Sequence, residues 1–76
     1  MEQDIIALRK ILNSRLFLEK YPVIKRVHVD GYGRGIDIVL IPNNDKEYWS
    51  IKNEIKNYIH TISRAASINS YFKIYP

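Results

Sequence analysis

Few side chains in this sequence could perform acid–base or metal chemistry, and their spacing does not bring them together. His28 and Asp30 lie two residues apart, so a strand would place both on one face, with His60 as a candidate third metal ligand. No spacing ties His60 to that pair, and two surface histidines are the simpler interpretation. Cys is absent, which excludes thiolate metal sites, disulfides and cysteine nucleophiles. The sequence therefore predicts no bound metal and no cofactor.

Asp37 and the serines make no better case for catalysis. The segment from Gly33 to Asp37 is faintly similar to nucleotidyltransferases, in which a Gly-Ser turn precedes an Asp-x-Asp metal pair. Here the Ser is absent and Asp37 stands alone, whereas two-metal phosphoryl transfer needs more than one carboxylate. No Gly-x-Ser-x-Gly elbow surrounds any serine. We therefore expect a protein that is not an enzyme.

A glycine-rich segment is the most conspicuous local motif. Its backbone amides and arginine could bind an anion, and the candidate anion-binding residues are Gly31, Gly33, Arg34 and Gly35. A strand follows this segment where a dinucleotide-binding fingerprint needs a helix. The alternative is a hairpin turn whose glycines supply positive φ angles. We favour the hairpin.

Hydrophobic periodicity predicts the elements that position these residues. Ile5, Leu8, Leu12 and Leu16 recur at steps of three and four, which indicates one face of a helix that ends before Pro22. Alternating apolar residues on either side of the glycine-rich segment indicate two antiparallel strands. A second helix and a short final strand follow. The predicted ranges are 3–20 and 44 to about 66 for the helices, and 23–30, 36–41 and 71–75 for the strands.

This order predicts a single α+β domain over residues 1–76 with the arrangement αββαβ. A right-handed crossover through the second helix makes strands two and three parallel. We expect the first strand to lie between them, in the sheet order 2-1-3, with both helices on one face. The predicted core consists of Val27, Val29, Ile38, Leu40, Ile51, Ile55, Ile59, Phe72 and Ile74.

In element order the chain looks like the small αββαβ modules of ring-forming secretion proteins and of cytoplasmic metal-transporter domains, and loosely like KH-type RNA-binding domains. It departs from the Gly-x-x-Gly loop of KH domains, because Arg34 occupies the place of the second Gly. A similarity of element order implies a fold and does not determine a function.

The alternation that buries one sheet face predicts what the other face carries. The open face is expected to be aromatic and basic with an apolar patch, and an exposed tryptophan on the second helix is a further candidate anchor. The candidate interaction residues are Arg26, His28, Val39, Ile41, Tyr71, Lys73 and Tyr75 on the sheet, and Trp49 on the helix.

Two classes of function fit this surface. The first is a small interaction or assembly module that self-associates or docks on a partner protein, because the chain has more apolar surface than one small sheet covers. The second is a nucleic-acid-binding module that holds single-stranded RNA or DNA on the open face. Lys and Arg number 12 against 8 Asp and Glu, but the excess is spread along the chain, which favours the first class. With no apolar run long enough to span a bilayer and an acidic start unlike a signal peptide, we expect a cytoplasmic protein.

Overall fold

The computed structural model describes residues 1–76 and confirms the predicted α+β fold. Three helices and a three-stranded mixed sheet follow one another in the order ααββαβ. The helices are α1 (Glu2–Leu12), α2 (Arg15–Lys20) and α3 (Asp45–Ala65), and the strands are β1 (Ile24–Tyr32), β2 (Gly35–Pro42) and β3 (Phe72–Tyr75).

The first helix is interrupted, whereas the apolar spacing predicted one continuous helix over residues 3–20. The Ser14 hydroxyl accepts a hydrogen bond from the Phe17 N–H at 3.2 Å and donates one to the Ile11 carbonyl at 2.7 Å. Ser14 therefore caps a new helix at the point where α1 ends. The break reorients the apolar residues that follow it: Phe17 is buried, and Leu16 is 77% exposed. The expectation that Leu16 belongs to the buried face was wrong.

The strand order is β1-β2-β3, so the predicted order 2-1-3 is wrong. β1 pairs antiparallel with β2, and the predicted parallel pairing of the second and third strands is confirmed. Side chains in the last turn of α1 and at its C-cap give the physical reason. The Val27 N–H donates to the Asn13 side-chain oxygen at 2.9 Å, and the Asn13 amide donates to the Val27 carbonyl at 2.9 Å. The Arg9 guanidinium donates to the Val29 carbonyl at 2.8 and 3.1 Å.

These bonds occupy backbone groups of Val27 and Val29 in the middle of the outer edge of β1, which would otherwise be free to pair with another strand. β3 consequently pairs with the free side of β2. The chain reaches β3 through a Schellman-type helix end: the Ile68 N–H donates to the Ser63 carbonyl at 2.9 Å, and the Ser67 N–H donates to the Arg64 carbonyl at 3.1 Å. Ser67 has a φ of 58°, as the residue after a helix end of this kind requires.

All helices cover one face of the sheet, and the other face is open. Most of the predicted core is buried, while Ile51, Phe72 and Ile74 lie half-buried against it. The core also includes aromatic residues that are not among the nine predicted core residues. Tyr48 is fully buried and donates its hydroxyl hydrogen to the Pro76 carbonyl at 3.1 Å. Burial raises the pKa of the Tyr48 hydroxyl. Buried residues are Leu8, Leu12, Phe17, Tyr21, Val23, Ile24, Val27, Val29, Ile36, Ile38, Leu40, Tyr48, Ile55, Ile59 and Ser63.

Replacing Asn13 with Ala removes the bonds to both backbone groups of Val27. Unsatisfied backbone groups of this kind cost about 1–3 kcal/mol, and we expect the free energy of unfolding in urea to fall by that amount. Asn53→Ala is the matched control, because Asn53 is exposed and its side chain makes no hydrogen bond. Equal unfolding free energies for the two variants would contradict this account of the β1 edge.

Candidate functional site

The strand register arranges the open face into rows that run across the sheet. Because β2 is central, Asp37 and Val39 each have a neighbour on both sides, whereas Ile41 pairs with Arg26 alone. The rows are His28–Val39–Tyr75, Asp30–Asp37–Lys73, and Tyr32–Gly35 with Tyr71 just before β3. Tyrosines and charged side chains are thereby concentrated toward the hairpin end of the face.

A cavity of about 580 Å³ lies at this hairpin end of the open face. Its walls include three large aromatic side chains that the protein leaves in contact with solvent: Tyr32 is 78% exposed, Tyr71 67% and Tyr75 42%. Large aromatic groups on a surface are typical of binding sites, because they offer contact area at low conformational cost. The lining residues are Tyr32, Gly33, Arg34, Gly35, Ile36, Asp37, Tyr71, Lys73 and Tyr75.

Glycine allows two chain segments to meet at the base of this cavity. A Cβ atom on Gly35 would lie 3.0 Å from the Tyr71 carbonyl oxygen and 3.2 Å from the Tyr71 Cδ1 atom. The Ile36 N–H donates to that same carbonyl at 2.9 Å, so the backbone cannot move away freely. Gly35 therefore lets the Tyr71 ring lie against the start of β2.

The predicted hairpin is confirmed. Of the four candidate anion-binding residues, it brings Gly33, Arg34 and Gly35 to the cavity and leaves Gly31 outside. Tyr32 pairs with Gly35 across a two-residue turn, in which Gly33 has a φ of 60°, as the first central position of a type II′ turn requires. The turn places Arg34 at the cavity. Gly31 instead lies inside β1, where a Cβ atom would be 3.0 Å from the Ile5 Cδ1 atom, and it does not line the cavity.

The segment that delivers Tyr71 is tied to the first helix. The Asp4 Oδ2 atom accepts hydrogen bonds from the Ser70 hydroxyl at 2.6 Å and from the Ser70 N–H at 3.0 Å. The hydroxyl bond is the main reason that the pKa of Asp4 lies below its ordinary value. This contact holds the chain one residue before Tyr71 and fixes where β3 begins.

The open face has fewer unpaired negative charges than its residues alone would suggest. Asp30 pairs with Arg9, with 3.4 Å between the guanidinium Nη2 and the carboxylate Oδ1. The chain contains two ion pairs, and neither involves Arg26, Arg34, Lys73 or Asp37. The face therefore presents three unpaired cations and one unpaired carboxylate.

The structure unites part of the predicted interaction surface and leaves part of it elsewhere. Tyr71, Lys73 and Tyr75 share the cavity with Gly33, Arg34 and Gly35. Arg26, His28, Val39 and Ile41 lie on the same face but do not line the cavity. Trp49 lies on α3, where the Lys52 ammonium nitrogen is 3.9 Å from its ring centroid.

Tyr32 and Asp37 line the cavity, although neither is among the predicted site residues. The predicted first strand ends at Asp30. In the structure β1 continues to Tyr32, and strand alternation places the Tyr32 side chain on the open face. Strand alternation predicts Asp37 on the open face, but among possible chemical roles only metal binding is considered for its carboxylate. His60 stacks on Phe72 with 4.8 Å between ring centroids, on the side of the sheet that the helices cover, and so it does not join His28 and Asp30.

Comparison with known protein families, characterised proteins and solved structures finds no match to this chain. None of the helices combines the length and the apolar character that crossing a bilayer requires.

The Asp4–Ser70 contact predicts a pH dependence of stability. A carboxyl whose pKa is lowered in the folded state stabilises the protein above its ordinary pKa, and this contribution is lost as the pH falls through the folded value. We expect the stability difference between the wild type and Asp4→Asn to be present at neutral pH and to shrink below about pH 4.

Chemical denaturation at a series of pH values measures this difference. Glu2→Gln is the control, because Glu2 is exposed in the same helical turn and its side chain makes no hydrogen bond. A difference for Asp4→Asn that does not change with pH would show that the carboxylate charge is not what stabilises the contact.

Proposed function

We propose that this protein is a non-enzymatic nucleic-acid-binding module that holds single-stranded RNA or DNA on its open sheet face. The observation that carries the proposal is the cavity in which three exposed tyrosines adjoin Arg34 and Lys73. Proteins that bind single strands combine the same two elements, which are aromatic rings for stacking and cations along the backbone.

The third strand and the residue just before it supply the central contacts. Tyr71, Lys73 and Tyr75 point to the same face, and alternate residues of a strand are about 6.6 Å apart. A cation thus lies between two rings, where bases stacked on the rings would bring a phosphate close to the ammonium group. Each base stacked on an aromatic side chain contributes about 1–3 kcal/mol.

The charge of the face supports an anionic ligand. Arg26, Arg34 and Lys73 have no carboxylate partner, whereas Asp30 is paired with Arg9. A short sheet with exposed rings suits a strand whose bases are unstacked and accessible, because aromatic side chains cannot reach the bases inside a duplex in this way. Single-stranded nucleic acid therefore fits the site better than a double helix.

Fluorescence anisotropy with short labelled oligonucleotides tests this function. We expect a dissociation constant below about 100 μM at ~50 mM salt and weaker binding as salt rises, because bound cations release counterions. Tyr71→Ala and Tyr75→Ala should each weaken binding and leave the salt slope nearly unchanged. Lys73→Gln should lower the slope.

Lys10→Gln is the matched control for the charge change, because Lys10 lies on α1 and outside the cavity lining. It should alter neither the affinity nor the slope. Binding that is absent, or that responds equally to Lys10→Gln and Lys73→Gln, would contradict the proposed interface.

An assembly module is the second candidate, and a different surface favours it. Several large apolar side chains of the helices stay exposed, namely Leu16 at 77%, Ile6 at 57% and Trp49 at 54%, and side chains of this kind form the buried core of a contact between copies. Light scattering from low to high micromolar concentration should then show a rising mass, and Leu16→Ser should abolish the rise. A constant monomer mass would remove this candidate without affecting the first.

A further inference from the structure

The cavity contains a carboxylate, Asp37, although a carboxylate would repel the phosphates of a nucleic acid. Asp37 is half-buried in β2, at the centre of the sheet, and it lines the cavity together with Arg34 and Lys73. Its side chain makes no hydrogen bond and no ion pair, although Lys73 is its neighbour in the strand register. An acceptor without a partner inside a binding cavity is available to a ligand that brings donors.

We propose that Asp37 gives this site a preference for guanine by accepting hydrogen bonds from the Watson–Crick edge of the base. The inference rests on the proposed nucleic-acid function and identifies the part of the ligand that Asp37 contacts. Arg34 and Lys73 would face the phosphates, and the tyrosines would face the flat surface of the base.

The donor pattern of the bases selects guanine. An ionised carboxylate only accepts hydrogen bonds, and its two oxygens can accept from two parallel N–H groups at once. Guanine presents its ring N1–H and its amino group side by side. Adenine and cytosine present one amino group next to a ring nitrogen that is itself an acceptor, and uracil or thymine presents one N–H between two carbonyl oxygens.

The position of Asp37 strengthens this discrimination. A hydrogen bond to a partly buried charge is stronger than the same bond in water, and an acceptor facing that charge is correspondingly more unfavourable. Asp30 cannot perform the same role, because Arg9 pairs with its carboxylate and it does not line the cavity.

The test compares oligonucleotides that differ at one base. Eight-residue oligothymidylates carrying a single central guanine, inosine, adenine or cytosine are titrated by anisotropy against the wild type. We expect the guanine strand to bind about ten-fold more tightly than the adenine or cytosine strand, the effect typical of a good bidentate contact. Inosine lacks the amino group but keeps the N1–H, and it should lose most of this advantage.

Asp37→Asn should remove the preference while general binding persists, since an amide presents one donor and one acceptor. Asp30→Asn is the matched control: it makes the same charge change on the neighbouring strand and should keep the preference. Circular dichroism confirms that both variants fold, and the inosine comparison needs no variant.

The outcomes separate the two proposals. Oligonucleotides that bind the wild type equally well whatever their central base would overturn the guanine preference and leave the proposed function standing. A preference that survives in a folded Asp37→Asn would also overturn it, because another group would then be responsible. If no oligonucleotide binds, the nucleic-acid function fails together with this inference.

Discussion

The bonds between the Asn13 side chain and the backbone of Val27 decide how this sheet is assembled. They satisfy backbone hydrogen-bonding groups of β1 that would otherwise pair with a neighbouring strand, and β3 pairs with β2 instead. Only in this order does Lys73 lie beside Asp37 and Tyr71 lie over Gly35. A polar contact on the helix side of the molecule therefore determines which residues meet on the open side.

Periodicity predicted those features of the fold that depend on burial. The alternation that places Ile38 and Leu40 inward and Asp37 outward is correct, as is the parallel pairing of the last two strands. The strand order and the break at Ser14 depend on single hydrogen bonds between side chains and backbone. Such bonds leave no repeating pattern in a sequence, because an asparagine or serine in a helical segment looks the same whether or not its side chain bonds elsewhere.

The same distinction explains the site. Residue alternation in the last strand predicts that the side chains of Tyr71, Lys73 and Tyr75 lie on the open face, and all three line the cavity. Tyr32 joined them only because β1 continues two residues beyond its predicted end. Nor does any residue pattern show that Arg9 pairs with Asp30, although this pair offsets the charge of one of the two carboxylates on the face.

The two edges of the sheet differ, and this difference limits how copies of the protein can join. Asn13 and Arg9 bond to backbone groups of Val27 and Val29 on the outer side of β1, whereas no side chain bonds to the backbone of the four-residue β3. A fibril grows when every copy offers two edges, one to each neighbour. In this chain one edge is short and carries a lysine, and the other is interrupted at Val27 and Val29, so a continuous sheet from copy to copy is hindered at both edges.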